Sequence, residues 1–165
     1  MIQIYRYGEV STRDIFARTV AAAHVEDIVA GILTDVKENG DEALFRYTAK
    51  FDGAALDRLE VTEAEIDEAF EAVEPRFLDI LREAAVNIRG FHEKQVRQSF
   101  IISEKNGVIT GQRVIPIDRV GLYVPGGTAA YPSTVLMDSI PAKIAGCPEL
   151  VMVTPPGKDG KVNPV

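Results

Sequence analysis

The fold is decided by residues 120–128, VGLYVPGGT, in which a short apolar strand runs directly into a glycine-bearing loop. Further along, Ser133 or Thr134 can cap a helix that extends to about residue 145 and ends at Gly146. A second apolar strand, residues 150–153, follows this helix. Because strand, loop, helix and strand form a βαβ unit, the sequence predicts two parallel strands joined by a right-handed crossover.

The loop of this unit holds the candidate binding residues, which are Tyr123, Pro125, Gly126 and Gly127. In open α/β sheets, ligands collect at the carboxyl ends of the strands. Glycines there let backbone N–H groups approach a phosphate, and the N-terminus of the next helix adds partial positive charge. Since the loop matches neither GxGxxG nor a Walker loop, a phosphate-binding loop and a tight βα turn both stay open. In the same way, Tyr123 can stack on a nucleotide or pack in the core.

A β-hairpin and connector are predicted for residues 98–119. Apolar runs at residues 100–102 and 108–109 flank Lys105-Asn106-Gly107. An Asn-Gly step between such runs is typical of a tight hairpin turn, because both residues accept a positive φ.

Residues 1–97 show the periodicity of about four helices, which we expect to pack on one another. The clearest stripe consists of branched aliphatic residues at helical spacing: Val25, Ile28, Val29, Ile32, Leu33 and Val36. Gly40 suits the end of that helix, and Thr62 with Glu65 forms a capping box for a later one. Pro75 suits the start of the last helix.

The composition is that of an ordinary globular protein, because 46% of the 165 residues are hydrophobic and 26% are charged. No uncharged apolar stretch reaches about 18 residues, so no membrane span is predicted. The charged first nine residues do not fit a secretory signal, and the single cysteine, Cys147, fits a reducing cytosol. A net charge of −7 without a basic cluster makes nucleic acid an unfavourable partner. We therefore expect a cytoplasmic protein.

Charge and proline divide the chain into parts. Residues 1–99 hold 20 acidic and 12 basic side chains, whereas residues 100–165 hold 5 and 6. Eight of the 9 prolines also lie in the second stretch, where they prevent continuous helix. We therefore predict a helical N-terminal region (1–97), a β-hairpin and connector (98–119) and a βαβ part (120–165).

The residues that could carry chemistry do not form a complete catalytic set. His24 and His92 lie in helical segments without the spacing of metal ligands, and Cys147 is more typical of a small buried residue at a helix end than of a nucleophile. The acidic series between Glu63 and Glu74 surrounds an amphipathic helix, which favours a solvated face.

Four stretches of the chain resemble the histidinol dehydrogenase family. Residues 120–137 and 140–146 resemble the family's signature region, and residues 35–44 and 47–53 resemble its N-terminal part. The resemblance implies an enzyme that oxidises L-histidinol to L-histidine through an aldehyde, in two NAD-dependent steps that end histidine biosynthesis. It also implies a zinc-containing homodimer whose main domains are incomplete Rossmann-like units.

The resemblance assigns four cofactor-binding residues. Tyr123 matches the tyrosine that the family uses for NAD, and Pro125, Gly126 and Gly127 match the loop beside it. Asp138 departs from the asparagine that many members have after Leu-Met. Because a carboxylate repels a pyrophosphate, this departure argues against a cofactor contact from Asp138.

Members of the family are well over twice as long as this chain. The zinc ligands, the Glu–His acid/base pair and the histidinol contacts are expected outside these 165 residues, so no residue is assigned as catalytic or metal-binding. We expect an N-terminal segment of such an enzyme that is inactive alone. Two alternatives stay open: a related enzyme for another small alcohol, such as a sulfonated one, or a short non-catalytic binding or dimerisation module.

Overall fold

The computed structural model describes residues 4–15, 25–126 and 129–165. The chain forms two compact units, Met1–Gly40 and Asp41–Val165. The chain combines helices with two small two-stranded sheets, so the predicted α/β class is confirmed. Across the described ranges, no helix combines the length and the apolar character that a membrane crossing needs.

The first unit contains a short helix, α1 (Thr12–Ile15), and a longer one, α2 (Val25–Asn39). α2 begins at the first residue of the predicted aliphatic stripe. It ends where Gly40 adopts a φ of 54° and donates its N–H to the Val36 carbonyl at 2.9 Å, as predicted for a C-cap. None of its residues is buried.

The second unit begins with three helices: α3 (Asp41–Phe51), α4 (Glu63–Ala72) and α5 (Pro75–His92). The capping box of α4 is confirmed, because the Glu65 N–H donates to Thr62 Oγ1 at 3.2 Å and the Thr62 N–H donates to Glu65 Oε2 at 2.8 Å. Hydrogen bonds from Thr62 hold the pKa of Glu65 below its usual value. Pro75 is the first residue of α5, which also agrees with the prediction.

The packing of α5 differs from the prediction. α5 packs along α6 (Pro132–Ile144) more extensively than along α3 or α4. The expectation that the helices of residues 1–97 pack on one another is therefore wrong for α5. A hydrophobic stripe shows that a helix has a partner, but it does not identify the partner. The division of the chain at residues 97 and 119 stays a prediction.

The predicted hairpin is confirmed. β1 (Phe100–Ser103) pairs antiparallel with β2 (Ile109–Gln112), so that Phe100 lies opposite Gln112. These strands form a two-stranded sheet of their own, and every residue of both strands is exposed.

The turn of this hairpin differs from the prediction in one residue. Gly107 has a φ of 83°, whereas Asn106 does not adopt a positive φ. The Gly107 N–H donates to the Glu104 carbonyl, and the Glu104 N–H donates to the Val108 carbonyl. This is a type I turn followed by one left-handed glycine, which needs a positive φ at a single position. The side chain of Asn106 instead accepts a hydrogen bond from the Val108 N–H at 3.1 Å.

The βαβ unit consists of β3 (Arg119–Tyr123), α6 and β4 (Glu149–Val153). The two strands are parallel, as predicted, and a salt bridge of 2.8 Å joins Arg119 to Glu149 at their first register position. The handedness of the crossover stays a prediction.

The start of α6 differs from the prediction. The helix begins at Pro132 with Tyr131 as N-cap and without a side-chain cap, so neither Ser133 nor Thr134 is the capping residue. Proline at the first helical position has a suitable φ and lacks only an N–H that would be unpaired there. At the other end, Gly146 has a φ of 85°, which confirms its predicted place after the helix.

Buried side chains are few among the described residues. Leu122 of β3, Val124 directly after it and Ile140 of α6 are buried, and α6 packs against β3. Ala43, Ala54 and Val73 are the other buried apolar residues. The best-packed part of the second unit is therefore the βαβ unit that carries the candidate loop.

Candidate cofactor-binding site

A cavity of about 290 Å³ lies at the carboxyl ends of β3 and β4. Pro125 and Gly126 line it from the loop after β3, and residues 154–157 line it from the loop after β4. Tyr131 and Val135 place the N-terminus of α6 at the same cavity. This is the position at which open α/β sheets bind ligands, and the helix end there favours an anionic group.

Gly126 brings the two loops of the cavity together. A Cβ atom on this residue would lie 3.1 Å from Cδ and Cγ of Pro155 and 3.2 Å from the Pro155 carbonyl oxygen. Side chains rarely pack so tightly, so the lack of a Cβ allows the close approach of the loops. The close approach of the two loops forms one wall of the cavity. The neighbouring candidate, Gly127, lies outside the described residues.

Tyr123 stands beside the cavity and does not line it. It is the last residue of β3 and its exposed fraction is 62%, whereas Leu122 and Val124 on either side are buried. Successive side chains of a strand point to opposite faces, so Tyr123 lies on the open face of the sheet. The alternative that it packs in the core is wrong.

The cavity-lining residues that were not identified from the sequence include Tyr131, Asp159 and Lys161. Asp159 and Lys161 belong to a turn over residues 157–161, in which Gly160 has a φ of 80°. The Gly157 N–H donates to the Lys161 carbonyl at 2.7 Å, and the Gly160 N–H donates to the Gly157 carbonyl at 2.9 Å. The stretch Lys158-Asp159-Gly160 was the sequence feature that could have revealed this turn, because Asp-Gly steps favour such turns.

Lys161 carries the basic group of the cavity. Its Nζ donates to both carboxylate oxygens of Glu68 on α4, at 2.6 and 2.7 Å. These hydrogen bonds and the charge of Glu68 raise the pKa of Lys161 above its usual value. The pair is half-exposed, so solvent screens much of its Coulomb energy.

The described residues do not assemble a metal centre. Among them, no three His, Cys, Asp or Glu side chains come together in a way that could hold a metal ion. His92 Nδ1 forms a 2.7 Å hydrogen bond with Gln95, and Cys147 is a half-buried free thiol. His24 lies outside the described residues. Asp138 is half-buried on α6 and does not line the cavity.

Comparison with known proteins identifies the family. The family model for histidinol dehydrogenase matches residues 17–165. A histidinol dehydrogenase from Heliobacterium mobile is 47% identical over 99% of this chain and 39% of its own length. One from Listeria monocytogenes is 53% identical over 88% of this chain and 34% of its own length.

A solved structure gives the same result. The crystal structure of histidinol dehydrogenase from Elizabethkingia anophelis superposes with a TM-score of 0.82 at 39% identity. It covers 87% of this chain, which in turn covers 33% of that protein. The chain thus spans little more than a third of the length of these relatives. It belongs to the histidinol dehydrogenase family and corresponds to an N-terminal part of these enzymes.

Proposed function

We propose that this chain supplies part of the NAD site of a histidinol dehydrogenase, which oxidises L-histidinol to L-histidine through the aldehyde. The bound NAD would accept the hydride in each of the two oxidation steps. The observation that carries the proposal is the cavity at the carboxyl ends of β3 and β4, with Pro125 and Gly126 in its wall and the N-terminus of α6 beside it. The relatives' names support the oxidoreductase activity of the whole protein.

The residues of the chain would hold the dinucleotide in different ways. The N-terminus of α6 would attract a phosphate, and the contact of Gly126 with Pro155 would hold the two loops together as a wall for the ligand. Tyr131 at the cavity and the exposed phenol of Tyr123 beside it offer aromatic surfaces for a ring or a ribose. We include Gly127 in the proposed loop because of its place in the sequence.

The cavity fits one half of a dinucleotide better than the whole molecule. Its volume of about 290 Å³ is at the lower end of the ~300–1,000 Å³ typical of small-molecule sites. We therefore propose that the other part of the NAD site, the histidinol contacts and the acid/base pair come from the remainder of the enzyme. We also propose that the homodimer interface comes from the remainder of the enzyme.

The described residues do not fit the family's zinc ion, because they provide no cluster of ligands for it. Zinc is bound by three or four side chains arranged around the ion. We therefore assign no step of the reaction to zinc within this chain, and propose that the 165-residue chain alone does not oxidise histidinol.

NAD titration of the purified chain tests the proposal. Saturable binding of NAD is expected, with an affinity about 2- to 10-fold weaker in Tyr123→Ala because an aromatic contact contributes about 0.5–1.5 kcal/mol. Tyr7→Ala is the matched control, since Tyr7 is an exposed tyrosine that belongs to the first unit and is distant from Tyr123 in the sequence. Absence of NAD binding by the wild-type chain, or equal effects of both substitutions, would contradict the proposal. Histidinol-dependent NADH formation by the chain alone would refute its predicted inactivity.

A further inference from the structure

One segment separates the candidate site from a second, larger cavity. This segment, residues 159–164, is here called the shared wall. Asp159 and residues 161–164 line both the cavity at the strand ends and a groove of about 550 Å³. The other side of this groove is formed by α4 and α5 and is mainly apolar; its lining includes Ile66, Phe70, Val73, Leu78 and Leu81. Because the shared wall belongs to both cavities, a shift of this segment changes the shape of both.

Two side-chain hydrogen bonds tie the shared wall to α4. They run from Lys161 Nζ to the two carboxylate oxygens of Glu68, which is 93 residues away in the sequence. Within the segment, the Lys161 N–H donates to Asp159 Oδ1 at 3.2 Å. The turn at Gly160 adds backbone hydrogen bonds from the Gly157 N–H to Lys161 and from the Gly160 N–H to Gly157. Lys161 lines both cavities, whereas Glu68 lines only the groove.

We propose that Glu68 is a positioning residue for the dinucleotide site, which it does not touch, and that it acts by holding Lys161 and with it the shared wall. The proposal rests on the proposed function of that site. Its physical basis is that a charge-assisted, two-point contact fixes a lysine whose backbone forms the wall. A wall fixed before the ligand arrives lowers the ordering cost of binding.

A direct role of Lys161 makes the opposite prediction for Glu68. If the ammonium group of Lys161 bound a phosphate of NAD, Glu68 would compete for the same cation, and removing its charge would tighten NAD binding. If Glu68 positions the wall, removing its charge weakens NAD binding. The sign of the effect of Glu68→Gln therefore separates the two roles.

The size of the expected effect follows from the exposure of the pair. The side chains of Lys161 and Glu68 are 51% and 60% exposed, so the pair is partly screened by water. Exposed ion pairs have modest energies, which correspond to an effect of about 1.5- to 5-fold on the dissociation constant. The effect should shrink in 1 M salt, where the screening length is only about 3 Å.

The test is NAD titration of the 165-residue chain and four variants. Glu68→Gln and Lys161→Met should each weaken NAD binding by about 1.5- to 5-fold. The double variant with Glu68→Gln and Lys161→Met should bind NAD no more weakly than the weaker single variant, because both substitutions break the same pair. Glu71→Gln is the matched control, since it removes one charge from α4 at a residue that lines neither cavity. Its affinity should equal that of the wild type.

Tighter NAD binding by Glu68→Gln would overturn the proposal, and so would losses of affinity that add up in the double variant. Hydrogen exchange of the Gly157, Gly160 and Lys161 amides gives an independent readout, because it needs no ligand. It should speed up in both single variants and to the same extent in the double variant. If the wild-type chain does not bind NAD, the proposed function fails, whereas unchanged exchange in Glu68→Gln shows that the pair does not hold the wall.

Discussion

The contact between Gly126 and Pro155 leads to a quantitative prediction for Gly126→Ala. The new methyl group would have three neighbours at 3.1–3.2 Å, so the two loops must separate by a few tenths of an ångström. Overpacking of this kind costs about 1–3 kcal/mol. Alanine also restricts the unfolded chain, which offsets about 0.4–1 kcal/mol of that cost. We therefore expect Gly126→Ala to lower the free energy of unfolding by about 0.5–2 kcal/mol.

Gly121 provides the matched control. It lies inside β3, and a Cβ atom there would have no neighbour within 4 Å. Gly121→Ala should therefore leave the free energy of unfolding unchanged or raise it by up to about 1 kcal/mol. Urea unfolding of the two variants, followed by circular dichroism, measures the difference. Equal stabilities, or a Gly126→Ala variant more stable than wild type, would refute the argument that the loops need a glycine at this contact.

Two further predictions concern local structure. Gly111→Ala should disrupt the hairpin at a cost of about 1–3 kcal/mol, because the new methyl group would overlap the backbone carbonyl of Phe100. Faster hydrogen exchange at the Glu104 amide would show this disruption, and unchanged exchange would contradict it. Because the pKa of Glu65 is lower in the folded chain than its unfolded value of 4.5, the ionised carboxylate stabilises the fold above pH 4.5. This contribution is lost as the pH falls through the folded pKa. Urea midpoints at pH 7 and pH 3 should therefore differ less in Thr62→Ala than in wild type, and an equal difference would disprove the assignment.

Features set by near neighbours in the sequence could be predicted. The capping box of Thr62 and the glycine ends at Gly40 and Gly146 depend on residues within one helical turn, so their side-chain types are sufficient. The parallel strands likewise follow from the order of strand, helix and strand. Local rules failed where two of them compete, as at the start of α6, where Pro132 outweighs the capping ability of the hydroxyl residues after it.

Features set by distant residues could not be predicted. The contact of Gly126 with Pro155 and the pair of Glu68 with Lys161 arise only when the elements pack, and no periodicity encodes them. The candidate loop was therefore found from its glycines, while the wall opposite it was missed. The exposure of Tyr123 depends on which face of β3 is covered by α6. The alternation of side chains along a strand does not show which of its faces a helix covers.

The exposed hairpin has a consequence for the biogenesis of the protein. A short hairpin closes within about 1–10 μs, whereas a ribosome adds only about 5–20 residues per second. The strands at Phe100–Ser103 and Ile109–Gln112 thus complete their pairing long before synthesis of the βαβ unit is finished. Ile101 and Ile109 are 80% and 70% exposed in this structure, so once residue 112 has been made the nascent polypeptide carries a hairpin with exposed apolar side chains. Exposed apolar strand edges pair readily with other chains, so the hairpin is open to such pairing while the βαβ unit is still being made.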